Sequence, residues 1–76
     1  EINMKILNEY QKEVEGYSVN FTMKFKENKE FPYTVIASHK SIIGMGKTKI
    51  EAKNKCEGAV LMDIKNNTKN GNGVIK

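Results

Sequence analysis

One stretch of strict alternation between apolar and polar side chains constrains this sequence more than any other feature. From residue 17 to residue 25 every second side chain is apolar, and the side chains between them are polar or charged. A β-strand turns successive side chains to opposite faces, so the pattern predicts a strand with one face on a hydrophobic core and the other in water. The apolar members are Tyr17, Val19, Phe21, Met23 and Phe25.

A second alternating segment follows a charged break at residues 26–30. Apolar side chains recur at positions 31, 33, 35 and 37 and predict a second strand, which Pro32 interrupts near its start. We expect Ser38-His39-Lys40 to form a short hairpin turn. A third strand is then predicted from Ser41 to Ile43, and it leads into Gly44-Met45-Gly46.

Two helices are predicted on either side of these strands. In residues 2–15 the apolar side chains are spaced as on one face of an amphipathic helix, which Gly16 would end as a C-cap. The second helix is predicted to begin near Lys49, because Thr48 and Glu51 form a capping-box pattern. The two apolar stripes consist of Ile2, Ile6, Leu7, Tyr10 and Val14, and of Ala52, Cys56, Ala59, Val60 and Ile64.

The predicted order is therefore α-β-β-β-α, an α+β fold with a three-stranded antiparallel sheet and two helices packed on one face. We assign residues 1–64 to this domain. Residues 65–76 contain four Asn, two Gly and three Lys with almost nothing to bury, so we expect a flexible polar tail or linker.

Length and composition exclude several classes of protein. Seventy-six residues suffice for one small domain. No apolar run approaches the roughly 18 residues of a membrane helix, and no signal peptide is evident, so we expect an intracellular protein without membrane contact. The chain does not begin with Met, and we expect it to be a piece of a longer protein. Its one Cys and one His permit neither an internal disulfide nor a zinc site.

Catalytic motifs are incomplete, and we expect no enzyme activity and no cofactor. Gly46-Lys47-Thr48 follows a strand and opens a helix as in a P-loop, but Ser41 occupies the position of the first glycine of that motif. Glu9 and Glu13 lie four residues apart, which is more typical of a solvated helix face than of paired catalytic carboxylates. Cys56 is interpreted as a small core residue.

The positive charge is concentrated in one part of the chain. All thirteen basic residues are lysines, the formal net charge is +4, and residues 40–55 contain five lysines against the single carboxylate of Glu51. Lys47, Lys49 and Lys53 surround the predicted start of the second helix, where exposed amides and the helix dipole attract anions. This arrangement favours a phosphate-binding surface, and the alternative is a solvated lysine face.

Two motifs resemble those of double-stranded RNA-binding domains over about residues 3–64. Leu7-Asn8-Glu9-Tyr10 is similar to the LNEY of that family's first helix, and residues 44–53, GMGKTKIEAK, are similar to its glycine-bracketed run into KKxAK. The resemblance implies recognition of the A-form shape of duplex RNA, without sequence specificity, by a targeting module of a larger protein. The expected partners are double-stranded RNA and either a second such domain in the parent chain or a homodimer partner.

The resemblance also implies roles for individual residues. Lys47, Lys49 and Lys53 would bridge phosphates across the major groove. The first helix would lie in a minor groove, with Glu9 accepting hydrogen bonds from 2′-hydroxyls beside Lys5 and Asn8. The secondary candidates for phosphate contacts are Lys12, Lys24 and Lys26.

Three departures from the family pattern keep a second function open. Ile50 replaces the middle lysine of KKxAK, residues 24–27 read KFKE where the family has GPxH, and Glu57 occupies a usual alanine position near the helix–sheet contact. The alternative is a protein-interaction or dimerisation module of the same fold. RNA binding requires Lys49 and Lys53 free in solvent, whereas a docking module requires an exposed apolar patch on a helix or a strand edge.

Overall fold

The structure of the chain, a computed structural model, describes residues 4–27 and 30–73. Four strands are followed by one helix, and the strands lie in the sheet in the same order as in the sequence, all antiparallel. The fold is a small α+β domain. The elements are β1 (Met4–Val14), β2 (Tyr17–Lys26), β3 (Tyr33–Ala37), β4 (Ile43–Gly46) and α1 (Lys49–Gly73).

The predicted first helix is wrong, and with it the order α-β-β-β-α, the three-stranded sheet and the pair of helices. Within residues 2–15, Met4–Val14 form strand β1, which pairs with β2 from end to end with one register shift between Ile6 and Asn8. Glu15 and Gly16 form the two-residue turn between them, with φ of 49° and 84°. Positive φ at both positions is the signature of a type I′ hairpin turn, whose twist matches that of the paired strands.

The predicted strands and the start of the second helix are largely present. The alternating segment 17–25 lies in β2, and segment 31–37 contributes β3 from Tyr33 onward. The predicted third strand, Ser41 to Ile43, begins too early in the sequence. Lys40 and Ser41 belong to the turn, with φ of 56° and 53°, and β4 begins at Ile43. The helix begins at Lys49 as expected and runs to Gly73, through most of the segment interpreted as a tail. Residues 74–76 lie outside the described residues.

The core lies between α1 and one face of the sheet. The helix contributes residues at strict intervals of four, namely Ala52, Cys56, Val60 and Ile64, whereas Ala59 of the predicted stripe is exposed. The other face of the sheet carries no helix among the described residues. The buried apolar side chains of the sheet are Val14, Val19, Phe21, Met23, Val35 and Ala37, and the buried Thr34 lies on the opposite face.

Two glycines of β4 let the helix approach the sheet closely. A Cβ atom on Gly44 would lie 2.7 Å from the carbonyl oxygen of Ala52, and one on Gly46 would lie 2.7 Å from the backbone nitrogen of the same residue. Real side chains do not occupy such distances, so the first turns of α1 pack directly against the backbone of β4. This contact fixes where the helix begins relative to the sheet.

Candidate nucleic-acid interface

The start of α1 is held by reciprocal hydrogen bonds between the backbone and two side chains. The backbone N–H of Glu51 donates to Thr48 Oγ1 over 3.1 Å, and the backbone N–H of Lys47 donates to Glu51 Oε1 over 2.9 Å. These bonds realise the predicted capping box, with its return bond made to the residue before Thr48. The loop from β4 into α1 is therefore ordered by its own side chains.

Three lysines project from this helix start, and we call Lys47, Lys49 and Lys53 the helix-start lysines. All three are exposed. The ammonium of Lys53 lies 5.6 Å from the centre of the Tyr10 ring and 4.0 Å from Glu57 Oε2. The ammonium of Lys47 lies 5.9 Å from the centre of the Phe31 ring. The residues that sequence reasoning required to be free in solvent, Lys49 and Lys53, are accessible.

Lys55 and Phe31 extend this charged surface and are absent from the set predicted from the sequence. The Lys55 ammonium lies 5.7 Å from the centre of the Phe31 ring and 3.4 Å from Glu51 Oε2. Lys47 and Lys55 thus share one aromatic ring, an arrangement that stabilises cations through the ring quadrupole. The only sequence signal was the density of lysines in residues 40–55, because Phe31 reaches the helix start through the fold of β3.

Glu51 is the acidic side chain within this surface. The hydrogen bond from the Lys47 backbone, followed by that from Lys55, holds the pKa of Glu51 below its ordinary value. The carboxylate is therefore ionised at neutral pH, where it supports the helix N-terminus and opposes an incoming phosphate.

The candidates Lys5, Asn8 and Glu9 lie on β1 instead of a helix. All three are exposed, but Asn8 and Glu9 are successive strand residues and point to opposite faces of the sheet. Tyr10 and Val14 face α1, with Tyr10 opposite Phe21 and stacked on it at 5.1 Å between ring centres. A helix that enters a minor groove is not available from this segment.

The three secondary candidates are separated by the sheet. Lys24 and Lys26 alternate with Met23 and Phe25 along β2 and project from the face opposite α1. Lys12 lies on the helix side, where its ammonium donates to Glu57 Oε1 over 2.8 Å. The structure therefore brings Lys12 near Lys53 and places Lys24 and Lys26 on another surface.

Glu57 connects β1 to α1 through partners that the sequence did not reveal. Its Oε2 accepts a hydrogen bond of 2.5 Å from the Tyr10 hydroxyl, in addition to the bond from Lys12. Burial pushes the pKa of Glu57 up, but the hydrogen bonds and positive charges outweigh burial and the net pKa is lowered. Burial, and then the Glu57 carboxylate, raise the pKa of the Tyr10 hydroxyl.

Two further sets of titratable side chains occur among the described residues: an ion-pair cluster around Asp63 and the buried thiol of Cys56. His39 Nε2 lies 2.7 Å from Asp63 Oδ2, and Lys40 adds an ion pair of 3.2 Å to the same oxygen. No group of three potential metal ligands occurs in residues 4–27 and 30–73. Burial raises the pKa of the Cys56 thiol to about 11, and Sγ lies 3.4 Å from the Ile42 carbonyl, to which it donates.

No helix among the described residues is long and apolar enough to cross a membrane. Comparison of the chain with protein-family models, with curated proteins and with solved structures found no significant match.

Proposed function

We propose that this chain binds double-stranded RNA through the helix-start lysines, by contacts to phosphates and without reading sequence. The single observation that supports this proposal is the exposed cluster of Lys47, Lys49 and Lys53 around the capped N-terminus of α1. Lysine charge and helix dipole have the same sign at that point, so both attract a polyanion.

The spacing of the cluster favours A-form RNA over B-form DNA. Lys49 and Lys53 are separated by one helical turn, about 6 Å along the axis at 1.5 Å per residue. The major groove of A-form RNA is deep and narrow, so phosphates of both strands come within reach of such a compact set of charges. The major groove of B-DNA is about 12 Å wide and separates them more.

The strand β1 removes the minor-groove contacts that a first helix would have made with the RNA. Since residues 4–14 form no helix, no role at 2′-hydroxyls is assigned to Glu9, Asn8 or Lys5. The contacts are restricted to the backbone of the duplex, and the affinity should depend strongly on salt.

The test is a titration of the chain with a blunt RNA duplex of about 20 base pairs, because duplex-RNA modules span about 16 base pairs. A DNA duplex and single-stranded RNA of the same length serve as competitors, at two salt concentrations. We expect preference for duplex RNA and loss of affinity with salt. The double variant Lys49→Ala/Lys53→Ala should bind at least tenfold more weakly, with a salt slope smaller by about 2.

The matched control is Lys24→Ala/Lys26→Ala, which removes the same charge from the opposite face of the sheet. This variant should keep most of the affinity, and circular dichroism should show both variants folded. If both double variants lost the same amount of RNA affinity, the binding would depend on net charge alone and not on the helix-start lysines. Absence of binding to all three nucleic acids would overturn the proposal.

A further inference from the structure

β4 forms one edge of the sheet, and its outer backbone groups are oriented for pairing with another strand. The backbone N–H of Ala37 donates to the carbonyl of Ile42 over 2.8 Å, while the N–H of Ile42 donates to the carbonyl of His39. Ala37 and Ile42 are therefore a hydrogen-bonded pair, joined by one bond, at the end of the β3–β4 ladder. Such pairs alternate along antiparallel strands, so Val35 and Gly44 form the next one. The N–H and C=O groups of Ile43 and Met45 therefore point away from β3. No described strand pairs with that side.

Apolar side chains and a groove accompany this edge. Ile43 and Met45 are 55% and 42% exposed and lie on the face of the sheet opposite α1. A groove of about 500 Å³ runs along β4 between these residues, Phe31 and Lys55. An exposed apolar edge of this kind is what a docking module requires.

The charges beside the groove determine the chemistry of its occupant. On the helix side, Lys47 and Lys55 lie 5.9 and 5.7 Å from the centre of the Phe31 ring. β4 itself contains no charged residue. A strand laid against this edge would turn alternate side chains toward the lysines and the intervening ones toward Ile43 and Met45.

We infer that the edge of β4 captures an extended peptide segment in which acidic and branched apolar residues alternate. The segment adds a fifth strand to the sheet by main-chain hydrogen bonds to Ile43 and Met45. Its carboxylates pair with Lys47 and Lys55, and its apolar side chains cover Ile43 and Met45. This binding is separate from the proposed RNA contact, although Lys47 borders both surfaces.

A second copy of the chain is the less favourable occupant. Two β4 edges paired with each other would bring the lysines of both copies together, which costs free energy because like charges repel. Pairing of β4 with the β1 edge of another copy would be a head-to-tail contact, which extends from copy to copy into a ring or a filament instead of closing as a dimer. The acidic peptide meets neither obstacle.

The test uses a fluorescein-labelled peptide of sequence Glu-Val-Asp-Ile-Glu-Val-Asp and the intact 76-residue chain. One control peptide carries Lys at each acidic position, and another carries N-methyl groups on the amides that would face β4. Both controls should bind at least tenfold more weakly. Hydrogen exchange followed by NMR should show the amides of Ile43 and Met45 protected by the acidic peptide, with the amides of β1 unchanged.

Three variants separate this inference from the RNA proposal. Met45→Pro removes an outward N–H at an edge position, where proline is tolerated, and should weaken peptide binding at least tenfold while RNA binding persists. Lys55→Glu should shift the preference toward the lysine peptide, and it covers the case in which Met45→Pro fails to fold. Lys49→Ala/Lys53→Ala should leave peptide binding intact.

Equal affinity for the acidic and lysine peptides would overturn the inference. Protection at the edge of β1 instead of β4 would do the same. Sedimentation of the free chain as a dimer or larger assembly, with Ile43 and Met45 already protected, would identify a second copy as the occupant and exclude the acidic peptide.

Discussion

The hydroxyl of Tyr10 on β1 donates a 2.5 Å hydrogen bond to the carboxylate of Glu57 on α1, joining the first strand to the only helix among the described residues. The Glu57 side chain is 13% exposed and has a second partner in Lys12. From the sequence, Glu57 is expected near the helix–sheet contact, and Glu57→Ala is predicted to raise the melting temperature if the carboxylate is partly buried there without a partner. In the structure Tyr10 and Lys12 are those partners, so we expect Glu57→Ala to lower the melting temperature.

Tyr10→Phe should lower the free energy of unfolding by about 1.5 to 3 kcal/mol, because it leaves a half-buried carboxylate with one hydrogen bond fewer. Glu57→Ala should also lower the melting temperature. Lys12→Met should cost less, about 1 kcal/mol or below, since the Lys12 ammonium is half exposed. Urea unfolding of the three variants measures these differences. A rise in stability for Glu57→Ala would contradict the position of β1.

Two glycine substitutions should have opposite effects. Gly44→Ala should destabilise the fold by about 1 to 3 kcal/mol, because the added methyl group forces α1 away from β4. Gly58→Ala should stabilise it by about 0.5 to 1 kcal/mol, because Gly58 lies within α1 with nothing within 4 Å of the added atom. Thermal unfolding of both variants provides the comparison. Equal effects would show that the helix does not pack as described.

A substitution in the turn between β1 and β2 can distinguish the observed hairpin from a helix that ends at Gly16. Glu15 has a positive φ, which Asn adopts at lower cost than Glu. Glu15→Asn should therefore raise the free energy of unfolding by a few tenths of a kcal/mol to about 1 kcal/mol. In the last turn of a helix the same change would be unfavourable, because Asn has the lower helix propensity. A loss of stability would count against the hairpin.

Acid should destabilise the fold through three carboxylates. The pKa values of Glu51, Glu57 and Asp63 are lowered in the folded state, so the unfolded chain binds more protons as the pH falls. The stability they contribute is present above about pH 5, near the ordinary carboxyl values, and is lost at lower pH. Glu57→Gln should melt below the parent chain at pH 7 and converge toward it near pH 2. Parallel curves at all pH values would exclude Glu57 as a source of this dependence.

The Cys56 thiol should be inert while the chain is folded. The residue is fully buried and the pKa of its thiol is raised to about 11, so little thiolate forms at pH 8. Reaction with Ellman's reagent should be slow in native buffer and fast in denaturing urea. Fast reaction of the native chain would show that α1 separates readily from β4.

The segment before Gly16 shows why the spacing of apolar residues predicted a helix where the chain forms strand β1. Tyr10 and Val14 are four residues apart, a spacing that places two side chains on one side of a helix and also on one side of a strand. Lys12 occupies the inward position between them and hides the alternation, since its charge is balanced by Glu57 on a distant element. The register shift between Ile6 and Asn8 then moves Ile6 to the opposite face, where it is exposed.

The later segments were predictable because their signals are local. The alternation of β2 lies within one strand, and the capping box of Thr48 and Glu51 lies within one turn. The end of α1 was not predictable from hydrophobicity, because the helix continues to Gly73, nine residues past Ile64, the last residue of the predicted apolar stripe. The location of the helix-start lysines at the beginning of α1 was likewise predictable, whereas Phe31 lies beside them only because distant strands pair.

Gly44 and Gly46 also govern a property of the surface. Their missing methyl groups set the height of α1 above the sheet, and that height sets how far Lys49 and Lys53 stand from Phe31, Lys47 and the edge of β4. Exchanging a lysine for a neighbouring surface residue would cost the fold little. Replacing either glycine would displace α1 and, with it, all the lysines at its start. The two glycines of β4 therefore determine the distances between the lysines at the start of α1 and the edge of the sheet.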